Sequence, residues 1–198
     1  MAGSPITVAN QISIARILLV PCVAAVIIHY FKTEDEGVRH LALALFAIAA
    51  ISDGIDGYVA RRFNQATELG KLLDPIGDKA LVLITVVLLS LVSPPLMPPI
   101  PLWCTVMIVA REMLIILGMG TVFFLNHHAI IRPRLASKIT TFLQMGLIVW
   151  TLAKGLQQVQ LGLALLTAVF TFVSAVQYYA DGMKQITNPP KKPDQQET

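Results

Sequence analysis

Residues 52–80 read SDGIDGYVARRFNQATELGKLLDPIGDKA. Four aspartates, Asp53, Asp56, Asp74 and Asp78, fall within 26 positions of a chain that has only 12 acidic residues in all. Placed on a helix at 100° per residue, Asp53, Asp56, Gly57, Ala60 and Arg61 share one stripe. Gly70, Asp74 and Asp78 share another, four residues apart, with Gly77 beside it. Two such helices meeting face to face bring four carboxylates together. A site of low dielectric cannot hold four carboxylates unless protons or cations neutralise them. Hard divalent cations take oxygen ligands of this kind. Two metals about 3.5–4 Å apart are a recurrent device in phosphoryl chemistry, stabilising the attacking and leaving oxygens together. Gly57 and Ala60 let a bulky ligand approach the backbone, and Arg61 is suited to pair with its phosphate. A calcium-binding EF-hand loop is excluded, because SDGIDG lacks the alternating oxygen ligands and the closing glutamate.

The rest of the 198-residue chain is apolar: 55% of residues are hydrophobic and 14% charged, with a mean hydropathy of +0.68. Soluble domains carry roughly 25% charged residues. The balance predicts an all-α, polytopic membrane protein. Six stretches approach the ~20 apolar residues that a membrane helix needs. They are Ile12–Phe31, Leu41–Ala60, Leu72–Val92, Ile100–Leu125, Ile139–Ala153 and Leu161–Ala180. The fifth is short and is expected to extend into Ser137 and Lys138. Five prolines in SPPLMPPIP, residues 93–101, predict a tight turn outside the membrane between the third and fourth spans. One membrane domain over residues 1–186 is expected, followed by a disordered polar tail, 187–198.

Orientation follows lysine and arginine placement. Eleven of these residues fall on one predicted side, among them Arg16, Arg61, Lys79, Arg132, Arg134 and Lys138; Lys32, Arg39 and Lys154 fall on the other. Both termini and the aspartate stretch are therefore expected in the cytoplasm. Cys22 and Cys104 read as packing residues without metal-ligand spacing. His29, His40, His127 and His128 sit near span ends and read as interfacial, since the His127–His128 pair lacks the helical spacing of a metal site.

The aspartate stretch resembles the signature of the CDP-alcohol phosphotransferase family, D-x2-D-G-x2-A-R-x8-G-x3-D-x3-D. Asp53, Asp56, Gly57, Ala60, Arg61, Gly70, Asp74 and Asp78 match it at every defined position. The resemblance implies transfer of a phosphatidyl or similar group from a CDP-linked donor to an alcohol, with release of CMP. It implies that Asp53, Asp56, Asp74 and Asp78 hold two Mg²⁺ or Mn²⁺ ions. It implies further that Asp78 takes the proton of the acceptor hydroxyl, and that Gly57, Ala60, Arg61 and Gly70 line the CDP site. A homodimer is a family expectation. The expected partners are CDP-diacylglycerol, a small phosphorylated alcohol and the lipid bilayer, with no nucleic acid. The expected location is a bacterial inner membrane, with the site on its cytoplasmic side.

Two further segments bear on the acceptor. MIVAREM places Arg111 and Glu112 within an apolar run, where a buried arginine demands a partner. That partner is either an internal counter-ion or an anionic acceptor. IIRPRLASKITTFLQM places Lys138 close to the next apolar run, in the position of a phosphate ligand; no role follows for Lys79, Arg132 or Arg134. The segments AREM and SKITTFLQM, with Asn10, Ser13 and Arg16, are similar to those of family members that use glycerol 3-phosphate. The expected reaction is therefore phosphatidyl transfer from CDP-diacylglycerol to glycerol 3-phosphate. The alternative is a cardiolipin synthase that uses CDP-diacylglycerol and phosphatidylglycerol. An aspartate-rich membrane prenyltransferase is the rival from another class, and CMP release would exclude it. A cation transporter fits less well, since it more often places such acids at broken helices near the bilayer midplane.

Overall fold

The computed structural model describes residues 8–63, 68–92, 96–126 and 135–187, with side chains described over 18–52, 79–92, 96–117, 135–180 and at 183. Those residues form six helices and, among them, no strand: α1 Val8–Thr33, α2 Glu36–Phe63, α3 Glu68–Ser90, α4 Leu102–Asn126, α5 Leu135–Leu152 and α6 Gln157–Thr187. Each coincides with one of the six predicted apolar stretches. α5 begins at Leu135, so the fifth stretch does extend through Ser137 and Lys138.

The connections are set by local chemistry. Glu34 takes a left-handed backbone with φ 56°, and its N–H donates to the Tyr30 carbonyl at 2.8 Å, closing α1 with one left-handed residue. Asp35 then caps α2, accepting the Gly37 N–H on its side chain at 2.8 Å. α5 ends in a Schellman motif. Lys154, at φ 54°, donates its N–H to Thr151, and Gly155 donates to Trp150, each at 3.0 Å. Here Gly155 is required by space: a Cβ would stand 2.2 Å from the Trp150 indole nitrogen. The proline-rich turn folds back onto the bundle, with Met97 and Ile100 buried. The Ile100 N–H bonds the Leu89 carbonyl at 3.1 Å.

α1 packs on α2 and α3, while α6 packs on α4 and α5; the two trios meet through α2–α5, α3–α4 and α3–α5. The shared core contains Ile27, Tyr30, Phe46, Leu89, Ile108 and Leu147, all fully or almost fully buried. α6 is inverted relative to a helix of a water-soluble protein. Its inward stripe is Gln160, Ala164, Thr167, Thr171 and Ser174, while Leu165, Val169, Phe172 and Val176 face outward. Small and weakly polar residues inside, with bulky apolar ones outside, is the packing expected where the surroundings are lipid. Four of the buried threonines satisfy their hydroxyls within their own helices. Thr140, Thr151, Thr167 and Thr171 each donate to the carbonyl four residues earlier, at 2.6 to 2.8 Å. Two segments, Leu135–Leu152 and Gln157–Ala180, are long and apolar enough to cross a membrane, counting the described residues only.

Candidate active site

Asp53, Asp56, Gly57, Ala60 and Arg61 lie on α2 toward its C-terminal end, and Gly70, Asp74 and Asp78 on α3 toward its N-terminal end. Both segments are helical, as the stripe arithmetic requires. The side chains of these eight residues lie outside the described residues, as do those of Arg16, Arg132 and Arg134 and residues 127–128. Among the described residues, no group of three or more histidine, cysteine, aspartate or glutamate side chains is gathered.

The described part of the site begins one residue after Asp78. Lys79 on α3 sets its ammonium 2.5 Å from Glu112 Oε2 on α4. Successive Cα atoms are about 3.8 Å apart, so this ion pair ties α4 to the last aspartate of the stretch. Glu112 is 4% exposed, and its other oxygen, Oε1, pairs with Arg111 Nη1. Arg111 is 3% exposed. Its Nη2 donates to Ser137 Oγ on α5 at 2.7 Å and to Ser174 Oγ on α6 at 2.9 Å. The guanidinium also lies 5.7 Å from the centre of the Tyr178 ring, within cation–π range. Arg111 Nε is buried without a hydrogen-bond partner among the described residues. One residue thus joins α4, α5 and α6, and its neighbour adds α3. Lys138, beside Ser137, is exposed.

The sequence reading left Arg111 between an internal counter-ion and an anionic acceptor. The structure provides the counter-ion, Glu112, and leaves one donor atom of the arginine without a partner among the described residues. Lys79 had no role from sequence, because its partner lies on another helix. Ser174 was missed outright, and Tyr178 read from sequence only as an interfacial or packing aromatic. The signal available for them was the spacing of Gln160, Thr167, Thr171, Ser174 and Tyr178, which marks one helical stripe inside an apolar run.

A second charged cluster closes the other end of the bundle, where the α1–α2 and α5–α6 turns meet. Glu36 pairs with Arg39 at 2.5 Å and with Lys154, and Arg39 Nη1 donates to the Leu152 carbonyl at 2.5 Å. The Arg39 guanidinium also contacts the His40 ring at 3.0 Å. Lys154 and then Arg39, through hydrogen bonds, hold the Glu36 carboxyl down at about 2. The same contact raises Lys154 above its ordinary value. Nearby, the Gln160 amide donates to the Pro98 carbonyl at 3.1 Å and the Pro99 carbonyl at 3.3 Å, fixing the proline-rich turn against α6. The aspartates lie toward the opposite ends of α2 and α3, so the two clusters mark opposite ends of the molecule.

An all-helical bundle with paired aspartates on consecutive helices, and a buried cationic cluster one residue beyond them, fits a transferase that handles phosphate esters. The sequence matches the CDP-alcohol phosphatidyltransferase family over residues 6–173, and the chain belongs to that family. It is 39% identical over 136 residues to the CDP-diacylglycerol–glycerol-3-phosphate 3-phosphatidyltransferase of Rickettsia felis, covering 69% of each chain. It is 30% identical over 182 residues to a probable phosphatidylglycerophosphate synthase of Mycobacterium tuberculosis, covering 90% of this chain and 82% of the relative. Human cardiolipin synthase (CMP-forming) is 31% identical over 207 residues, covering 92% of this chain and 64% of the relative.

Proposed function

We propose that the chain transfers the phosphatidyl group of CDP-diacylglycerol to glycerol 3-phosphate, giving phosphatidylglycerophosphate and CMP. The observation that carries this reading is the Arg111–Glu112–Lys79 cluster. Its arginine and glutamate are buried, its lysine directly follows Asp78, and among the described side chains it is net cationic, which suits an acceptor with its own phosphate. Relatives named for glycerol 3-phosphate transfer support it.

The donor set fits divalent metal. Four carboxylates, two on each of two consecutive helices, are hard oxygen ligands of the kind that Mg²⁺ or Mn²⁺ takes. Asp53, Asp56, Asp74 and Asp78 would hold two ions, which when bound supply charge neutralisation as the phosphoanhydride breaks. The remaining work falls to the chain. Arg61 pairs with the pyrophosphate, and Gly57, Ala60 and Gly70 leave room for the cytidine. Arg111 and Lys138 bind the acceptor phosphate and orient its hydroxyl toward the donor. Asp78 accepts the hydroxyl proton as the new phosphoester bond forms and CMP leaves.

In this reading all six helices cross the membrane, and both termini and the aspartates face the cytoplasm. Residues 1–186 form the membrane domain, residues 187–198 a polar tail, and the enzyme works as a homodimer. The inverted face of α6 supports the bilayer setting. Such an arrangement keeps the acyl chains in lipid while the anionic headgroups react at the water interface.

A cardiolipin synthase, with phosphatidylglycerol as acceptor, is the second reading. It is favoured by the match of the human relative over 92% of this chain. CMP release from CDP-diacylglycerol, measured on purified protein with Mg²⁺ or Mn²⁺ and each acceptor in turn, separates the two. Release with glycerol 3-phosphate alone is expected. Release with phosphatidylglycerol alone would move the product to cardiolipin.

A further inference from the structure

We infer that Glu112 is a positioning residue for acceptor recognition, acting through Lys79 and Arg111, and that Lys79 is a cation of the acceptor site; both roles rest on the proposed acceptor. Glu112 is the only carboxylate among the described side chains of this cluster, and it divides its two oxygens between two cations. Arg111 takes Oε1, and Lys79 takes Oε2 at 2.5 Å. Two cations and one anion leave one positive charge over. Arg111 and Glu112 are buried and Lys79 is partly exposed, so among the described side chains the surplus charge lies at the accessible edge of the cluster, where an anion can meet it.

The geometry points to a phosphate monoester as that partner. Arg111 has no freedom to move, being held by Glu112, Ser137 and Ser174. Its buried Nε nevertheless lacks an acceptor among the described residues. Lys79 is the accessible member of the cluster, with its side chain 26% exposed. An ammonium on a four-carbon stem has many rotamers. The Glu112 carboxylate selects those that hold it on the same carboxylate as the guanidinium. A phosphate held by both cations would then bring its alcohol to the aspartates. Glu112 itself touches no substrate in this scheme.

Two opposite electrostatic outcomes make the role testable. If Glu112 only dilutes the positive potential, removing its charge tightens phosphate binding. If it positions the cations, removing its charge loosens phosphate binding. The variants are Glu112→Gln, Glu112→Asp, Lys79→Met, Lys79→Arg and the double variant Lys79→Met/Glu112→Gln. Initial rates of CMP release are measured against glycerol 3-phosphate and, separately, against CDP-diacylglycerol, with thermal melting of each protein.

Loss of one positioned charge-assisted contact is expected to raise the acceptor KM about tenfold for Glu112→Gln and Lys79→Met. The donor KM is expected to stay unchanged, and Glu112→Asp and Lys79→Arg to recover part of the loss. The double variant should lose less than the sum of the two single losses, since Glu112 acts in part through Lys79. An acceptor KM that is unmoved or lowered in Glu112→Gln overturns the inference. So does an equal effect on both substrates. If Glu112→Gln fails to fold, Lys79→Met decides by the same KM comparison. A wild-type protein that releases CMP only with phosphatidylglycerol sinks the acceptor reading itself. A wild-type enzyme active on glycerol 3-phosphate, with variants that leave its KM alone, sinks only the roles of Glu112 and Lys79.

Discussion

Lys79 Nζ stands 2.5 Å from Glu112 Oε2, and each residue directly follows a proposed site residue, Asp78 and Arg111. The contact therefore couples the helix that carries half of the aspartates to the helix that carries the buried arginine. In the proposed site it would set how far apart donor and acceptor chemistry can be.

Asp78→Asn keeps the size of the side chain but removes a metal ligand and the proposed base. CMP release is expected to fall by at least about a hundredfold, the lower end for general-base removal, with thermal stability nearly unchanged. An Asp78→Asn enzyme with ordinary Mg²⁺-dependent turnover would remove Asp78 from the mechanism.

Arg111→Met leaves Glu112 buried with Lys79 alone. Breaking one side of a buried ion pair costs about 3–5 kcal/mol, so a large drop in melting temperature is expected. Arg111→Lys retains the charge but not the planar fork that reaches Ser137 and Ser174 together. It is expected to fold, with a weakened acceptor KM. A Lys variant indistinguishable from wild type in both melting and KM would show that the fork is dispensable.

At the other end of the bundle, the Glu36 carboxyl is held down at about 2 from an ordinary 4.5. A depressed acid stabilises the folded state above its unfolded value and loses that effect as pH falls through its folded value. The raised Lys154 behaves in the opposite sense, helping below its ordinary 10.5 and losing that help as pH climbs through its folded value. The melting advantage of wild type over Glu36→Gln should hold through neutral pH, then shrink between pH 4.5 and 2 and again above 10.5. The effect is small, because Glu36 is half exposed. Melting curves of the two proteins that stay parallel down to pH 2 would remove the link.

Gly155→Ala tests the α5–α6 turn. Its methyl would stand 2.2 Å from the Trp150 ring nitrogen, so the indole must swing away and give up its bond to the Leu156 carbonyl at 3.3 Å. Overpacking of this kind costs about 1–3 kcal/mol. A lowered melting temperature with altered tryptophan emission is expected, and an unchanged spectrum would mean that the turn relaxes elsewhere.

The six helices were legible from apolar run length, because long apolar runs show along the whole chain. The aspartate stripes were legible because a helix fixes their spacing. Lys79–Glu112 was not, since 33 residues separate two side chains that meet only through tertiary packing. Nor was the second cluster. Arg39 and Lys154 were assigned to one side of the membrane, but nothing local shows that both close on Glu36. The inward stripe of α6 was hidden for a different reason. Hydropathy averages over a helix, and a few threonines and serines scarcely lower it.

Those threonines carry a consequence for biogenesis. Thr140, Thr151, Thr167 and Thr171 each bring their own acceptor, the carbonyl one turn earlier. Arg111 likewise brings its counter-ion as the next residue in the chain. These groups need no second helix to meet their first partner. In the proposed bilayer setting these hydroxyls and this ion pair would enter lipid already satisfied, while the Lys79–Glu112 and Gln160 contacts would form as the helices assemble.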